Sequence, residues 1–373
     1  MHKTHLFFDY RDLFKAPRLA LSGKKIWIFI IGNIAGFIFY WFFSYISLIL
    51  SGFSLLDALN KYGFKPYLFN NDLEWYSWLT YYTGITAWII AIYFANTSVS
   101  RLTLKQLKGN NFYSIKDAWN YTRSHWHAIV FTPIGFILII LFFILLASLF
   151  ALLGLIPYIG DFLFSIPYLL YFFGAIFTIY TLIVLLTSLI YVPAIVGIYE
   201  EDTMGSIFQS YSITWSQPWR IIIYNIILTP LVIISTIILG YFFESGIKLI
   251  NNVFGNEILM GQKYANIVNF SANLIHLEWL SFIFDFNLPD IYEPLSFFST
   301  FAGIILSISF FLISLSIFSY SLSILSVGQT LMFLIFKKLS DQDDILNRKD
   351  EDDLKLDHNI FNIIDDDDDG EEE

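Results

Sequence analysis

Six hydrophobic stretches of the chain contain no Asp, Glu, Lys or Arg. They lie between Lys25 and Asp57, Glu74 and Arg101, Arg123 and Asp161, Asp161 and Glu200, Arg220 and Glu244, and Glu293 and Lys337. A helix needs about 20 apolar residues to cross the hydrocarbon core of a bilayer. Each stretch is long enough, so the pattern predicts six membrane-spanning helices. We place them at about residues 26–50, 77–100, 128–153, 167–193, 220–243 and 297–325.

These segments predict helices rather than β-strands. Strands of a membrane barrel alternate in polarity, whereas residues 137–146 are ILIILFFILL, apolar at every position. Since lipid cannot pair with backbone N–H and C=O groups, an all-apolar span must be helical. We therefore expect an all-α, polytopic transmembrane helical bundle over residues 26–339. A basic segment, 1–25, precedes it, and an acidic, disordered tail, 340–373, follows it.

The composition agrees with a protein that lies in lipid. Of the 373 residues, 56% are hydrophobic and 14% are charged, whereas a soluble domain carries about 25% charged residues. The net charge of −11 is concentrated in the tail, where residues 341–373 contain 16 acidic and 3 basic residues, a net −13 that leaves +2 for residues 1–340. The chain has no cysteine, so disulfides, thiolate metal sites and cysteine catalysis are excluded.

Basic residues predict the orientation of the chain. With the N-terminus in the cytoplasm, the inner segments hold 17 of the 21 Lys and Arg residues, and only Lys61, Lys65, Lys248 and Lys263 lie outside. Cytoplasmic loops of membrane proteins carry an excess of these residues. We expect a multi-pass protein of a bacterial inner membrane with both termini in the cytoplasm. The outer loops would then be 51–76, 154–166 and 244–296.

The longest predicted outer loop contains an apolar stretch at 274–288. His276, Glu278 and Asp285 interrupt it, so its uncharged runs are too short to span the bilayer. We expect an interfacial or re-entrant helix there. The three side chains are of types that bind metals or transfer protons, but their spacing matches no ligand motif. A solvated acidic loop is therefore favoured over a site.

Two short segments that precede spans three and five resemble each other. Residues 114–122 are SIKDAWNYT and residues 206–214 are SIFQSYSIT, and a tryptophan follows each. Apolar residues recur at helical spacing on one face of the first segment, and a serine opens each segment as a helix N-cap would. We predict an internal repeat of amphipathic elbow helices in the membrane interface. The residues assigned to the elbows are Ser114, Ile115, Trp119, Thr122, Trp126, Ser206, Ile207, Tyr211, Thr214 and Trp219.

The end of span four and the second elbow resemble the signature of a broad group of bacterial membrane domains. Residues 191–210 are YVPAIVGIYEEDTMGSIFQS, in which Pro-Ala ends the span, an acidic pair follows, and an amphipathic helix with a small residue and a serine four apart comes next. The IPYIG turn at 156–160 is similar to theirs as well. The group includes the membrane domain of glycerophosphoryl diester phosphodiesterases and related families of unknown function. Over about residues 110–240 the resemblance implies a fold and a lipid setting. It implies no catalysis, because the phosphodiesterase activity of such proteins resides in a separate soluble barrel, which this sequence does not contain.

The predicted spans hold few polar side chains. Asn33 and Asn225 are the most polar, and Ser307, Ser314 and Ser321 repeat every seven residues in span six. Small residues permit close packing of membrane helices and hydrogen bonds between them. An ion-coupled transporter normally places an ionisable group near the midplane, and these spans contain none. We therefore favour a packing seam, with a polar pore lining as the alternative.

The acidic tail carries one short apolar group, Ile360, Phe361, Ile363 and Ile364. Such a composition is disordered in isolation and favours a tail that keeps the protein soluble and away from the membrane. The alternative is that the apolar group docks a protein partner as a short linear motif.

Together these features favour a non-enzymatic membrane module that organises lipids or partner proteins. The alternative is a small-molecule or lipid transporter built from helical hairpin repeats. A membrane-bound enzyme that uses the outer acidic loop is the third hypothesis. We predict no cofactor, no metal site and no nucleic-acid partner. The expected partner is the lipid bilayer, and a protein that binds residues 360–364 of the tail is the further candidate.

Overall fold

A computed structural model of the chain describes residues 6–62, 66–68, 74–274 and 295–352, and every regular element within these ranges is a helix. The elements are a 3-10 helix at Tyr10–Lys15, then α1 (Ala16–Ala20), α2 (Gly23–Leu50), α3 (Leu55–Tyr62), α4 (Trp75–Leu107), α5 (Ile115–Ser124), α6 (Trp126–Leu153), α7 (Ile159–Ser165), α8 (Tyr168–Tyr199), α9 (Thr203–Ser216), α10 (Pro218–Phe254), α11 (Gln262–Leu274) and α12 (Phe297–Ser340). The all-α prediction is confirmed.

Six of the described helices, α2, α4, α6, α8, α10 and α12, are long and apolar enough to cross a membrane. Their positions match the six predicted spans, but several run further than the uncharged stretches do. For example, α4 continues to Leu107 and α10 to Phe254. A charged residue ends the apolar stretch without ending the helix. Within α10, Lys248 and Glu244 pair across one turn at 2.6 Å, which favours helix beyond the apolar part.

The predicted outer loops contain short helices of their own. Helix α3 lies in the loop 51–76, α7 in the loop 154–166, and α11 in the loop 244–296. In the turn before α7 the residue with positive φ is Tyr158, at 66°, and not Gly160. A Cβ on Gly160 would lie 2.4 Å from the carbonyl oxygen of Gly154. The glycine is therefore required for close backbone approach rather than for a left-handed conformation.

The chain divides into two compact units, of which one comprises residues 13–95 and 225–328. Helices α2 and α4 meet there through small residues. A Cβ on Gly32 would lie 2.8 Å from the Cβ of Ala95, and one on Gly36 would meet the indole of Trp88. Glycines at this four-residue spacing let membrane helices approach closely. An aromatic cluster extends the contact, with Tyr45 and Tyr81 buried in it.

In the same unit, α12 packs against α11 and α1. The hydroxyl of Ser271 donates to the carbonyl oxygen of Gly303 at 2.9 Å, and the Tyr320 hydroxyl donates to the carbonyl oxygen of Pro17 at 3.2 Å. The Ser323 hydroxyl donates to the carbonyl oxygen of Ala20 at 3.0 Å. Hydroxyl groups of α11 and α12 therefore bond these helices to their neighbours.

The other unit comprises residues 1–12, 96–224 and 329–373, and it includes the last part of α4. Every residue from Thr97 to Lys105 is buried, although this is where the predicted span ends and charges begin. Ser98 shares a hydrogen bond of 2.7 Å with Thr122 of α5, and Thr330 of α12 donates to Ser100 at 3.1 Å. This burial on all sides means that charged residues at the end of α4 need partners inside the protein.

Helices α6 and α8 form an apolar hairpin with α9 along its side. Phe136, Val184 and Ile207, one from each helix, form the small core of this assembly. Beyond it the hairpin is exposed, since only 6% of the most apolar part of α6 is buried inside the protein. An apolar surface of this kind is stable only in contact with lipid or with other membrane helices.

Candidate functional site: a buried ionic cluster

Charged side chains from three parts of the chain meet at the end of α4. We call them the ionic cluster, and its members are Arg101, Lys105, Lys108, Glu200, Asp350 and Asp352. The three cations belong to α4 and to the residue that follows it, Glu200 follows α8, and the two aspartates belong to the segment after α12.

The helical period places the three cations together. Positions 101, 105 and 108 are spaced by four and three residues, so they lie on one face of a helix. The Arg101 side chain is completely buried. A buried guanidinium without carboxylate partners would be strongly unfavourable, so this face requires acidic neighbours.

Arg101 has partners on two sides. Its Nη1 lies 2.7 Å from Oε1 of Glu200, and its Nη2 lies 2.6 Å from Oδ2 of Asp352. Nη2 is also 3.5 Å from Oδ1 of Asp350. Arg101 therefore joins the end of α8 to the segment that follows α12.

The two lysines bind mainly Asp350. Lys105 Nζ lies 2.5 Å from Oδ1 of Asp350, and Lys108 Nζ lies 2.9 Å from its Oδ2. Lys108 also donates to the carbonyl oxygen of Arg348 at 2.6 Å. Both oxygens of Asp350 are therefore occupied by cations, and the backbone beside it is held as well.

Aromatic residues line the cluster. The Arg101 guanidinium lies 4.2 Å from the ring centroid of Tyr121, a cation–π contact, and the Tyr121 hydroxyl donates to the carbonyl oxygen of Val196 at 2.7 Å. The Tyr113 hydroxyl donates to Asp352 at 3.1 Å. His125 stacks on Tyr121, and its Nε2 lies 3.6 Å from Oε1 of Glu351.

Glu200 has an unusual backbone conformation. It ends α8 in the left-handed region, at φ 62° and ψ 30°, where glycine is usual and a side chain costs about 1 kcal/mol. Its carboxylate accepts from Arg101 and from the backbone N–H of Glu351, the latter at 3.1 Å and 3.2 Å to its two oxygens. These bonds explain why a glutamate stands where a glycine would be less strained.

Burial and charge act in opposite directions on the tail carboxyl groups. Burial alone would raise the pKa of Asp350, but the hydrogen bond from Lys105, the charge of Arg101 and the bond from Lys108 bring it well below its usual value. The pKa of Asp352 is lowered too, because the charge and hydrogen bond of Arg101 outweigh burial. Burial raises the pKa of Tyr113 and of Tyr121, so both phenols stay neutral.

Three cations face three carboxylates, so the ionic cluster is close to neutral. Its side chains are held by one another, and nothing in its geometry poises a nucleophile or a proton donor for reaction. What the arrangement does chemically is hold anions. Its effect in this structure is to fix residues 350–352 to α4.

The segment after α12 is thus packed at its beginning. The sequence predicts a disordered tail from residue 340 onward, whereas the structure buries Ile345 and Asp350. Asp343 accepts a hydrogen bond of 2.8 Å from the Tyr199 hydroxyl. The prediction overlooked these residues because net charge was averaged over the whole tail, while the cations of α4 compensate only its first part. The apolar group at 360–364 lies outside the described residues.

The first elbow helix, α5, forms as its pattern predicts. Ser114 is its N-cap, and the hydroxyl accepts from the backbone N–H of Asp117 at 3.1 Å. Thr122 is buried, Ile115 and Trp119 are half-buried, and the charged side chains on the other face are exposed. Trp126, which opens α6, is exposed too.

The second elbow, α9, begins earlier than its pattern predicts. The N-cap is Asp202, whose carboxylate accepts from the backbone N–H of Gly205 at 2.7 Å, and the predicted cap Ser206 lies inside the helix. Both residue types cap helices well, and Asp202 adds a negative charge at the positive end of the helix dipole. Ser206 is buried instead, with no hydrogen-bond partner for its hydroxyl within the described residues.

Helix α9 packs against other helices of the protein and does not lie alone in the membrane interface. Ile207 contacts the hairpin core, and a Cβ on Gly135 would lie 2.7 Å from its Cδ1. The Tyr211 hydroxyl is 2.8 Å from that of Thr181, and its ring stacks on Phe177. Contacts with both arms of the hairpin show that α9 lies along α6 and α8.

The two elbows share three buried positions of the aligned segments. The pairs buried in both helices are Ala118 with Ser210, Tyr121 with Ile213, and Thr122 with Thr214. At the first two aligned positions only the residues of α9, Ser206 and Ile207, are buried. Trp219, the tryptophan after the second elbow, is exposed like Trp126.

The polar residues of the spans lie in different places. Asn33 is buried, donates to the carbonyl oxygen of Phe29 at 2.8 Å and accepts from Trp88 Nε1 at 3.4 Å. Ser307 and Ser314 are buried in α12 and Ser321 is half-buried. Asn225, in α10, is half-buried as well. His276, Glu278 and Asp285, and the helix expected at 274–288, lie outside the described residues apart from Leu274, the last residue of α11.

Sequence reasoning missed the ionic cluster. The sequence pattern treats its cations as loop charges that set orientation, and its acidic residues as part of a disordered tail. The useful signs are three cations at helical spacing at the end of a span, and the acidic run at 350–353 in the first part of the tail.

Comparisons with protein-family models, with curated proteins and with solved structures find no match to this chain.

Proposed function

We propose that this chain is a non-enzymatic membrane module that organises lipids or partner proteins. The observation that carries the proposal is the ionic cluster, which fixes residues 350–352 to α4 and α8. The chain beyond residue 352 therefore starts from a fixed point on the membrane body rather than from a free end.

The distribution of charge supports a cytoplasmic location of both termini in a bacterial inner membrane. In the predicted topology, 17 of the 21 Lys and Arg residues fall in cytoplasmic segments, which agrees with the usual bias of inner-membrane proteins. The acidic tail would then face the cytoplasm. The resemblance of residues 110–240 to bacterial membrane domains supports the same setting, as do the elbows, which bury equivalent positions and favour an internal repeat.

In this account the apolar group of the tail docks a cytoplasmic partner. Ile360, Phe361, Ile363 and Ile364 stand among acidic residues, a composition that binds partners as short linear motifs. The fixed start of the tail would hold a docked partner near the membrane. The exposed α6–α8 hairpin would provide lateral contact with lipid or with membrane helices.

Affinity capture with the full-length protein tests this proposal. Wild type, Phe361→Ala/Ile364→Ala and the matched control Leu354→Ala/Leu356→Ala are purified from native membranes in a mild detergent. We expect a discrete protein in the wild-type and control samples that is lost from the Phe361/Ile364 variant. The same proteins and lipids in all three samples would contradict docking through this motif.

The transporter alternative makes a different prediction. A transport path through the spans would expose seam positions to water, whereas Asn33 already has partners in α2 and α4. Because the chain has no cysteine, Ser314→Cys can be labelled without background, with the buried apolar position Phe310→Cys as control. We expect no labelling of either by a membrane-impermeant maleimide. Labelling of Ser314→Cys alone would favour transport.

A further inference from the structure

The tail carboxylates are arranged as the oxygens of a phosphate group would be. Oδ1 of Asp350 and Oδ2 of Asp352 lie between the same two cations, at 2.5 Å and 3.3 Å from Lys105 Nζ and at 3.5 Å and 2.6 Å from Arg101 Nη2. A third oxygen, Oδ2 of Asp350, contacts Lys108 at 2.9 Å. Three anionic oxygens thus face three cations, and a phosphomonoester presents three such oxygens with a charge near −2.

The cations and the tail aspartates come from distant parts of the chain. Arg101, Lys105 and Lys108 lie at the end of α4, where residues 97–105 are buried, whereas Asp350 and Asp352 belong to the segment that follows α12. Among the members of the ionic cluster, the three cations would face one carboxylate, that of Glu200, if that segment left. The remaining charge of about +2 would match a phosphate dianion.

The cations can donate one more hydrogen bond to an anion than they donate to the tail. Arg101 Nε is buried and has no hydrogen-bond partner within the part of the chain that the structure describes. Arginine binds phosphate through several N–H groups at once, which lysine cannot do. On the other side, the Asp352 side chain is 27% exposed, so the segment can be replaced from the solvent edge.

We propose that Arg101, Lys105 and Lys108 form a binding site for a phosphomonoester, and that residues 350–352 occupy this site as an internal substitute. Ligand and segment compete for the same cations. The segment has the advantage of being tethered, which acts like a high local concentration. The phosphomonoester is either a soluble molecule or the headgroup of a lipid. This inference rests on the ionic cluster alone and stands whether or not the distal tail docks a partner.

Binding measurements on the full chain in nanodiscs test the proposal. The soluble probe is glycerol phosphate in neutral-lipid nanodiscs, and the lipid probe is phosphatidic acid, with phosphatidylglycerol as a phosphodiester control. Asp350→Asn/Asp352→Asn removes the competing charges and should tighten phosphomonoester binding by about tenfold or more. In that background Lys108→Gln should weaken binding by about tenfold, while the exposed control Lys116→Gln should leave it unchanged.

A reporter in the otherwise wild-type tail keeps the test valid if the double variant folds poorly. A fluorophore on Glu351→Cys should gain mobility when glycerol phosphate, or phosphatidic acid, is added, and not with phosphatidylglycerol. A response to one probe only identifies the source of the phosphate. No response to either probe, or equal effects of Lys108→Gln and Lys116→Gln, would overturn the proposal.

Discussion

Replacing Glu200 separates the strain of its left-handed backbone from the contribution of its ion pair. Alanine removes the carboxylate and keeps the strain, whereas glycine removes both. The two variants lose the same contacts with Arg101 and with the backbone of Glu351. Any difference between them therefore measures the backbone conformation at φ 62°.

The expected losses of unfolding free energy follow from the contacts of Glu200. Breaking a buried ion pair costs about 3–5 kcal/mol when the remaining charge is left alone. Arg101 keeps Asp352 at 2.6 Å, so we expect the lower end. Glu200→Ala should lose about 3 kcal/mol of unfolding free energy. Glu200→Gly should lose about 1 kcal/mol less, because glycine adopts the left-handed region without strain.

Unfolding by titration with SDS in mixed micelles measures these differences. The control is Glu257→Ala, at an exposed position, which should change stability by no more than about 0.5 kcal/mol. If glycine and alanine at position 200 are equally stable, the strain argument is wrong. If both match the Glu257 control, Glu200 does not hold the ionic cluster together.

Three further predictions use the same chain. Gly197→Ala would place a Cβ 2.8 Å from a backbone carbonyl oxygen of α4 and should destabilise the protein by about 1–3 kcal/mol in the SDS titration. Gly246→Ala is the control, since Gly246 has open space around it, and should stabilise the protein by up to about 1 kcal/mol. The pKa of Asp350 is below its unfolded value of about 3.9, so its contribution is present above that pH and is lost as pH falls through the folded pKa. A fluorophore near residue 351 should therefore gain mobility only below about pH 4, and Asp350→Asn should be mobile already at neutral pH. Asp202→Ala should lower the free energy of unfolding by about 1 kcal/mol. Ser206→Ala should lower it by less than about 0.5 kcal/mol, because its hydroxyl has no hydrogen-bond partner among the described residues; the reverse order would contradict the assigned cap.

Local features of the fold could be predicted from sequence. The length of each apolar stretch determines whether a helix can cross the bilayer, and this depends on nothing outside the stretch. The cap of α5 depends only on Ser114 and the residue three positions later. For such features the pattern contains all of the physical cause.

Features that depend on distant residues could not be predicted. Arg101 pairs with Glu200, 99 positions away, and with Asp352, 251 positions away. A charge at the end of a span has the same local pattern whether it faces water or a buried carboxylate. The predicted start of α9 was wrong for a different reason. Asp202 and Ser206 are both good helix caps and lie one turn apart, so only packing against the hairpin distinguishes them.

The central claim is that residues 350–352 are held against the ends of α4 and α8, beside His125, and cross-linking tests it most directly. In the cysteine-free chain, His125→Cys/Glu351→Cys brings together positions whose native side chains approach to 3.6 Å. A short bismaleimide should join them and increase gel mobility, whereas Asn120→Cys/Glu351→Cys, on the exposed face of α5, should not react in this way. Adding Asp350→Asn/Asp352→Asn should abolish the product. Absence of the His125–Glu351 product, or its persistence without the aspartates, would contradict the account.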